Sequence, residues 1–218
     1  MMKIGVLAVQ GAFVEHQKML RRLGVETVEV RLPQHLKGVD GLIIPGGEST
    51  TIGKLALRWE LIDPIRDFAR SGRPLWGTCA GMIVMAREVV DGETEQPLLA
   101  LMDVTVRRNA FGRQVDSFEA DLEVPALGEE PFHAVFIRAP VIERIGDDVK
   151  AVARLEGGAV VAAQQGSMLA TAFHPELAKD DRFHRYFLDL CGSSVSETPR
   201  RDPETGKEAV RSKGCALT

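Results

Sequence analysis

The sequence predicts an α/β chain in which βαβ units surround a mostly parallel sheet. Short apolar, β-rich runs alternate with segments of helical period through the first half of the chain. Each short apolar run suits a strand covered on both faces. Size agrees: 218 residues, 44% apolar and 27% charged, are enough for one α/β domain with a full core, predicted over residues 1–192.

In order, residues 3–9 read as a first strand. Residues 12–23 follow as a helix with Phe13, His16, Met19, Leu20 and Leu23 on one face, stopped by Gly24. Residues 25–30 and 41–44 are the second and third strands. Ser49 or Thr50 can cap a helix through Trp59, and Asp63 and Pro64 start another that reaches Arg70. "PLWG" is the next strand and leads into a helix from Ala80 to about Arg87. Over residues 101–169 the pieces "MDVTV", "SFEADLEV", "HAVFIRAP" and "AVVAAQQGSMLATAF" predict a late antiparallel portion, before a last amphipathic helix over residues 181–190. After Gly192, "SSVSETPRRDPETGKEAVRSKG" has charge, Ser and Pro but almost no large apolar side chains, so residues 193–218 are expected to form a disordered tail.

Charge and composition exclude several functions. A net charge of −4 offers no basic field for nucleic acid. The N-terminal apolar run has no small-residue cleavage site, and no window reaches the roughly 18 apolar residues of a membrane helix, so a cytoplasmic protein is expected. The terminal Cys215-Ala216-Leu217-Thr218 superficially fits a prenylation box, but Thr is not a usual last residue. Three cysteines, Cys79, Cys191 and Cys215, are an odd number at irregular spacing, which argues for free thiols in a reducing compartment.

Cys79 stands out among them. In "GTCAG", glycines two residues before and after it have the spacing of a nucleophile elbow, where they relieve crowding at a strained strand-to-helix turn. The helix that begins there turns amides and a dipole toward the sulfur, and the N–H of Ala80 can donate to an oxyanion. A thiol nucleophile needs a base and the base an orienting group. His16, His35 and His184 have no distinctive neighbours and read as surface or packing residues; His133 opens an apolar strand and reads as structural. His174 in "ATAFHPEL" ends an apolar strand, with Pro175 stiffening the turn and Glu176 two residues on, on the same side of an extended stretch. Cys79, His174 and Glu176 therefore form a candidate triad. In "IIPGGESTT", Gly46 and Gly47 let backbone amides approach an oxyanion closely, and Ser49 opens a helix N-terminus that favours a carboxylate. Walker spacing is absent, so phosphate binding is discounted.

"VLAVQGAFVEH", "PGGEST", "GTCAGM", "RRNAFGRQVDSFEADL", "FIRAP" and "FHPEL", in order from about Lys3 to Leu190, together resemble the glutaminase subunits of pyridoxal 5'-phosphate synthases, within the class I glutamine amidotransferases. The resemblance implies a three-layer flavodoxin-like fold that hydrolyses L-glutamine to glutamate and ammonia and passes the ammonia to a synthase subunit in a heteromeric complex that makes vitamin B6. It implies Cys79 as nucleophile, His174 as general base and acid, and Glu176 as its orienting group. Glutamine would be held by Gly47, Glu48, Ser49, Arg108, Ile137 and Arg138, with no metal or organic cofactor. Arg108 and Arg138 suit carboxylates and Glu48 suits the α-ammonium. Two alternatives stay open: a related cysteine hydrolase acting on another amide or γ-glutamyl substrate, and a non-catalytic binding or redox-sensing subunit. The first helix and the "PGGEST" turn are expected to form one docking face for the partner.

Overall fold

The computed structural model describes residues 2–91, 96–108, 110 and 117–197, with side chains described to residue 193. The first half builds β1 (Lys3–Leu7), α1 (Phe13–Arg22), β2 (Glu26–Val30), β3 (Gly41–Ile44), α2 (Ser49–Arg58), α3 (Ile62–Arg70), β4 (Leu75–Thr78), the short α4 (Ala80–Met85) and β5 (Ala86–Val90). The second half supplies β6 (Met102–Arg107), β7 (Ser117–Leu122), β8 (Phe132–Ile137), β9 (Val141–Ile145), β10 (Lys150–Arg154), β11 (Val160–Gln165), β12 (Met168–Thr171) and α5 (Arg182–Glu197). Among the described residues, no helix is long and apolar enough to cross a membrane.

Ten strands form one sheet in the order β2-β1-β3-β4-β12-β11-β9-β6-β5, with β10 added to β11; β7 and β8 pair apart as an antiparallel ribbon. From β2 through β12 every pairing is parallel, and β11 then turns the sheet antiparallel against β12, β9 and β10. The predicted late antiparallel portion is therefore present. Register matters for the site: Ile44 lies opposite Gly77, and Thr171 opposite Thr78. The chain leaves β3, β4 and β12 at one carboxyl edge, where parallel α/β sheets gather ligands.

β4 also shows why helices cover both faces. Side chains alternate along a strand. Trp76, fully buried, meets Phe183, His184 and Phe187 of α5 and His16 of α1, whereas a Cβ at the next residue, Gly77, would fall 2.6 Å from the sulfur of Met85 on α4. α1 and α5 thus pack on one side and α4 on the other.

Three local expectations are corrected. The cap of α2 is Glu48, whose carboxylate accepts the N–H groups of Thr50 and Thr51 at 3.0 and 2.6 Å; Ser49 and Thr50 are already inside the helix. α4 stops at Met85 rather than near Arg87, because Ala86–Val90 pairs with β6 and long-range pairing overrides the local helical pattern. α5 continues to Glu197, beyond the predicted end at residue 190. The rest of the expected tail, with Cys215, lies outside the described residues.

Candidate active site

Cys79 follows β4 directly and adopts φ 48° and ψ −104°, a left-handed conformation that side chains other than glycine rarely take. The neighbouring glycines make the turn possible. A Cβ at Gly77 would lie 2.6 Å from the backbone of Gly81, and one at Gly81 would collide with the Ile44 carbonyl. The Cys79 N–H donates to the Thr171 carbonyl at 2.7 Å, which pins the turn to β12. Its sulfur lies 3.9 Å from the Ile137 carbonyl at the end of β8.

Three residues past β12, His174 meets that turn. The His174 N–H donates to Val135 of β8 at 2.8 Å, and its ring Nδ1 lies 2.7 Å from Glu176 Oε1. The extended stretch expected between the two is instead a 3-10 turn, Pro175–Leu177, because Pro175 supplies the φ of a first helical residue. Burial disfavours charge on His174, but hydrogen bonding to Cys79 and then to Glu176 outweighs it, and the imidazole is raised to about 10. Burial alone would raise the Glu176 carboxyl, yet the histidines around it hold it below its ordinary value. A buried imidazolium thus lies between the Cys79 sulfur and a carboxylate.

The Gly46-Gly47 turn closes another side. The Gly46 N–H donates to Thr78 Oγ1 at 2.9 Å, and its carbonyl accepts the Ala12 N–H at 2.9 Å. Because the peptide is trans, the Gly47 N–H points away from Ala12. A Cβ at Gly46 would collide with the His174 ring, so the turn approaches the base as closely as its chemistry allows. Gln10 accepts the Glu48 N–H through Oε1 at 2.9 Å, so the segment between β1 and α1 does lie beside this turn.

A cavity of about 370 Å³ gathers these groups: Cys79, Ala80 and His174 with Gly47, Glu48 and Ser49, and across from them Arg108, Ile137 and Arg138, joined by Gln10 and Ile83. Of the expected triad, glutamine-binding and oxyanion residues, all line it except Glu176, which lies behind His174, and Gly46, which supports the turn from outside the lining. Arg108 pairs with Glu48 at 3.4 Å and reaches Thr50 Oγ1 and Gln96 Oε1. The Glu48 carboxyl, though burial opposes it, is held low by the Thr51 and Thr50 hydrogen bonds. Arg138 has φ 43°, a second left-handed side-chain residue at this pocket, and among the described residues it has no ion pair.

Sequence reasoning missed Gln10 and Ile83 as pocket residues, and Gln96, which accepts from Ser49, Thr50 and Arg108. It also read His16 and His184 as residues without distinctive neighbours; both are completely buried, and His16 lies 3.3 Å from Glu176. A histidine on an apolar helix face is a usable signal, since a buried imidazole needs polar partners. Cys191 is no rival nucleophile: it is buried beside Gly41, and burial pushes its thiol up to about 12. A larger cavity, about 500 Å³, lies between β7 and β10 and is lined by no cysteine, serine or histidine.

A family model described as the SNO glutamine amidotransferase family matches residues 6–193. A pyridoxal 5'-phosphate synthase subunit PdxT from Herpetosiphon aurantiacus is 63% identical over 190 residues, covering 87% of this chain and all of the relative. A crystal structure titled glutamine amidotransferase superposes with TM-score 0.82 at 55% identity, over 87% of this chain and 98% of its own. A putative GMP synthase subunit from Thermoplasma acidophilum shares the fold alone, with TM-score 0.66 at 21% identity over 90% of this chain and 96% of its own.

Proposed function

The chain belongs to the SNO glutamine amidotransferase family, and on that premise we propose that it hydrolyses L-glutamine to L-glutamate and ammonia through Cys79, His174 and Glu176. The observation that carries this reading is the strained Cys79 turn set against a buried His174–Glu176 pair at 2.7 Å. The sulfur attacks the side-chain amide carbon while the proton resides on His174. The oxyanion is received by the N–H groups of Gly47 and Ala80. His174 gives its proton to the departing ammonia, leaving a thioester on Cys79. Neutral His174 then takes a proton from water as water attacks the thioester, which releases glutamate and restores the starting state. Neither half-reaction needs a metal or organic cofactor.

Arg108 and Arg138 take the α-carboxylate, and Glu48 with neighbouring carbonyls takes the α-ammonium. Ser49 and Ile137 complete the walls. The ammonia goes to a pyridoxal 5'-phosphate synthase subunit, supported by the name of the 63% identical relative, and the setting is the cytoplasm. The hydrolase is assigned to the matched part of the chain, up to residue 193. Docking of the partner on α1 bears on the oxyanion site, since the Ala12 N–H just before α1 holds the Gly46 carbonyl.

The test measures ammonia from L-glutamine, L-asparagine and γ-glutamyl peptides, with and without the synthase subunit. Glutamine-specific release that the partner accelerates is expected for the wild type and none for Cys79→Ala. Release by Cys79→Ala overturns the triad; preference for a γ-glutamyl peptide overturns the substrate.

A further inference from the structure

Behind the triad, the second oxygen of Glu176 is not in solvent. It faces His16 Nε2 at 3.3 Å, with both side chains wholly buried. The same nitrogen lies 3.2 Å from Thr78 Oγ1, and the other ring nitrogen, Nδ1, lies 3.1 Å from His184 Nε2. Neither Glu176 Oε2 nor His184 Nδ1 has a hydrogen-bond partner among the described residues, so His16 meets Glu176 in a close electrostatic contact and not in an aligned hydrogen bond. Trp76 closes the cluster, its ring 4.9 and 5.6 Å from the two imidazoles, edge-on. Helices from opposite ends of the chain thus meet at the carboxylate that orients the catalytic base.

Only one assignment of protons suits this row. If His16 carried its proton on Nδ1, it would donate to His184 Nε2. His184 would then bury a proton on Nδ1 with nothing to receive it, and a bare lone pair of His16 would face the carboxylate. With the proton on His16 Nε2, that N–H donates to Thr78 Oγ1 at 3.2 Å and keeps its positive end beside Glu176 Oε2, 3.3 Å away. His184 Nε2–H donates to His16 Nδ1, so no donor is orphaned: His184 Nδ1 keeps an acceptor lone pair, and Glu176 Oε2, without a hydrogen bond, faces a positive N–H end and not a lone pair. Both rings are neutral. Burial lowers His16, Glu176 opposing and the charge on His174 assisting, and burial followed by His16 lowers His184 further. What Glu176 receives from His16 is therefore the positive end of an N–H dipole at 3.3 Å rather than a second positive charge.

We propose that His16, held in its Nε2–H form by His184, is a positioning residue for the catalytic carboxylate, so that Cys79, His174, Glu176, His16 and His184 form one buried row of polar contacts rooted in α1 and α5. The inference rests on the triad reading above. The row sets a positive N–H end against each oxygen of Glu176, the His174 hydrogen bond on Oε1 and the His16 N–H 3.3 Å from Oε2, and so keeps the carboxylate ionised and aimed. Through Thr78 Oγ1, which also receives the Gly46 N–H, His16 touches the support of the oxyanion turn. The titratable groups facing it are Glu176, His174 and His184, with Glu15 beside it on α1.

The experiment is histidine-ring NMR on the full chain, wild type, His16→Gln and His16→Leu, with glutaminase activity measured in the presence of the synthase subunit. In the wild type, His16 and His184 are expected as neutral Nε2–H rings. A His16 ring protonated on Nδ1, or charged at neutral pH, overturns the proposal without any variant having to fold. Gln can still set a polar N–H beside Glu176; Leu cannot. In His16→Leu the pH at which His174 loses its proton is expected to fall by about one unit or more, and kcat to drop roughly 5- to 150-fold with little change in KM. His16→Gln should stay near wild type in both. A folded Leu variant with unchanged His174 titration refutes the role, as does a Gln variant as impaired as Leu. Failure of the wild type to hydrolyse glutamine would instead refute the triad reading.

Discussion

Replacing Glu176 by Gln removes the charge behind His174 and changes almost nothing in shape, and the surrounding contacts set the consequences. The Gln carbonyl can take the place of Oε1 and still accept from His174 Nδ1. Its amide nitrogen then sits where Oε2 was, 3.3 Å from His16 Nε2, donor against donor. Turning the amide over moves the same conflict onto His174. One buried polar contact is left unmade either way, at about 1–3 kcal/mol, or roughly 5- to 150-fold in kcat. The charge acts separately. His174 is raised to about 10, with burial opposing and Cys79 and Glu176 supporting; losing one close opposite charge lowers such a group by about 1–3 pH units. Because the departing ammonia takes its proton from His174, the alkaline limb of kcat should move down by that amount. Ammonia release from saturating L-glutamine between pH 6 and 11, with the synthase subunit present, reads both effects. A Glu176→Gln enzyme with wild-type kcat and an unmoved alkaline limb would reduce the triad to a dyad and refute this account.

Cys79→Ala should abolish steady-state hydrolysis with the denaturation midpoint nearly unchanged, and His174→Ala should be almost as damaging; steady ammonia release by either removes that residue from the chemistry. Thr78→Val keeps the shape but strips the Gly46 N–H of its acceptor, so a loss of about 1–3 kcal/mol in urea unfolding is expected, together with a lower kcat; a variant as stable and active as wild type shows that Thr78 supports nothing. Stability should also depend on pH. His174 is raised in the folded state from 6.5 to about 10, so its contribution is fully present below about pH 6.5 and is lost as the pH rises through about 10. Unfolding free energies at pH 6 and pH 10 should differ in wild type and differ less in Glu176→Gln, and equal differences would mean that the pair does not carry the linkage. Removing residues 198–218 should leave both melting temperature and kcat unaltered, since the family match ends at residue 193; a large loss of either shows that the segment docks.

The parallel half of the sheet was legible because its central strands are buried on both faces: Gly41–Ile44 and Leu75–Thr78 are buried at every position, and an uninterrupted apolar run is what such a strand needs. β5, β9 and β10 were not. Ala86–Val90 follows a helix without a break, and its strand character comes from pairing with β6, a neighbour that no local window contains. β10 pairs with β11 through two register shifts, so alternation along it is broken where a period would be read. The Glu48 cap was missed for a related reason, since Ser and Thr lead the capping preferences and the choice of Glu48 depends on how the chain enters the helix from the Gly46-Gly47 turn.

At the site, the same division holds between residues that need special backbone and residues that need only neighbours. Cys79 announces itself because a left-handed nucleophile turn demands glycines at fixed offsets, and His174 because the proline after it marks a strand end. His16 carries no such mark. Its helical spacing says only that it faces the core, which is true. What makes it more than packing is parallel pairing: β12 beside β4 carries the chain on to Glu176 next to Thr78, while α5 brings His184 under α1. Arg108 is the converse case. Its charge was visible, but its task came only through the family resemblance, because its contacts are Gln96 and the Glu48–Thr50 helix start more than forty residues earlier. Residues that hold reacting groups in place through tertiary contacts can be read in this chain only after the strand order is known, and in this fold those residues hang on α1, the helix that also holds the oxyanion turn through Ala12.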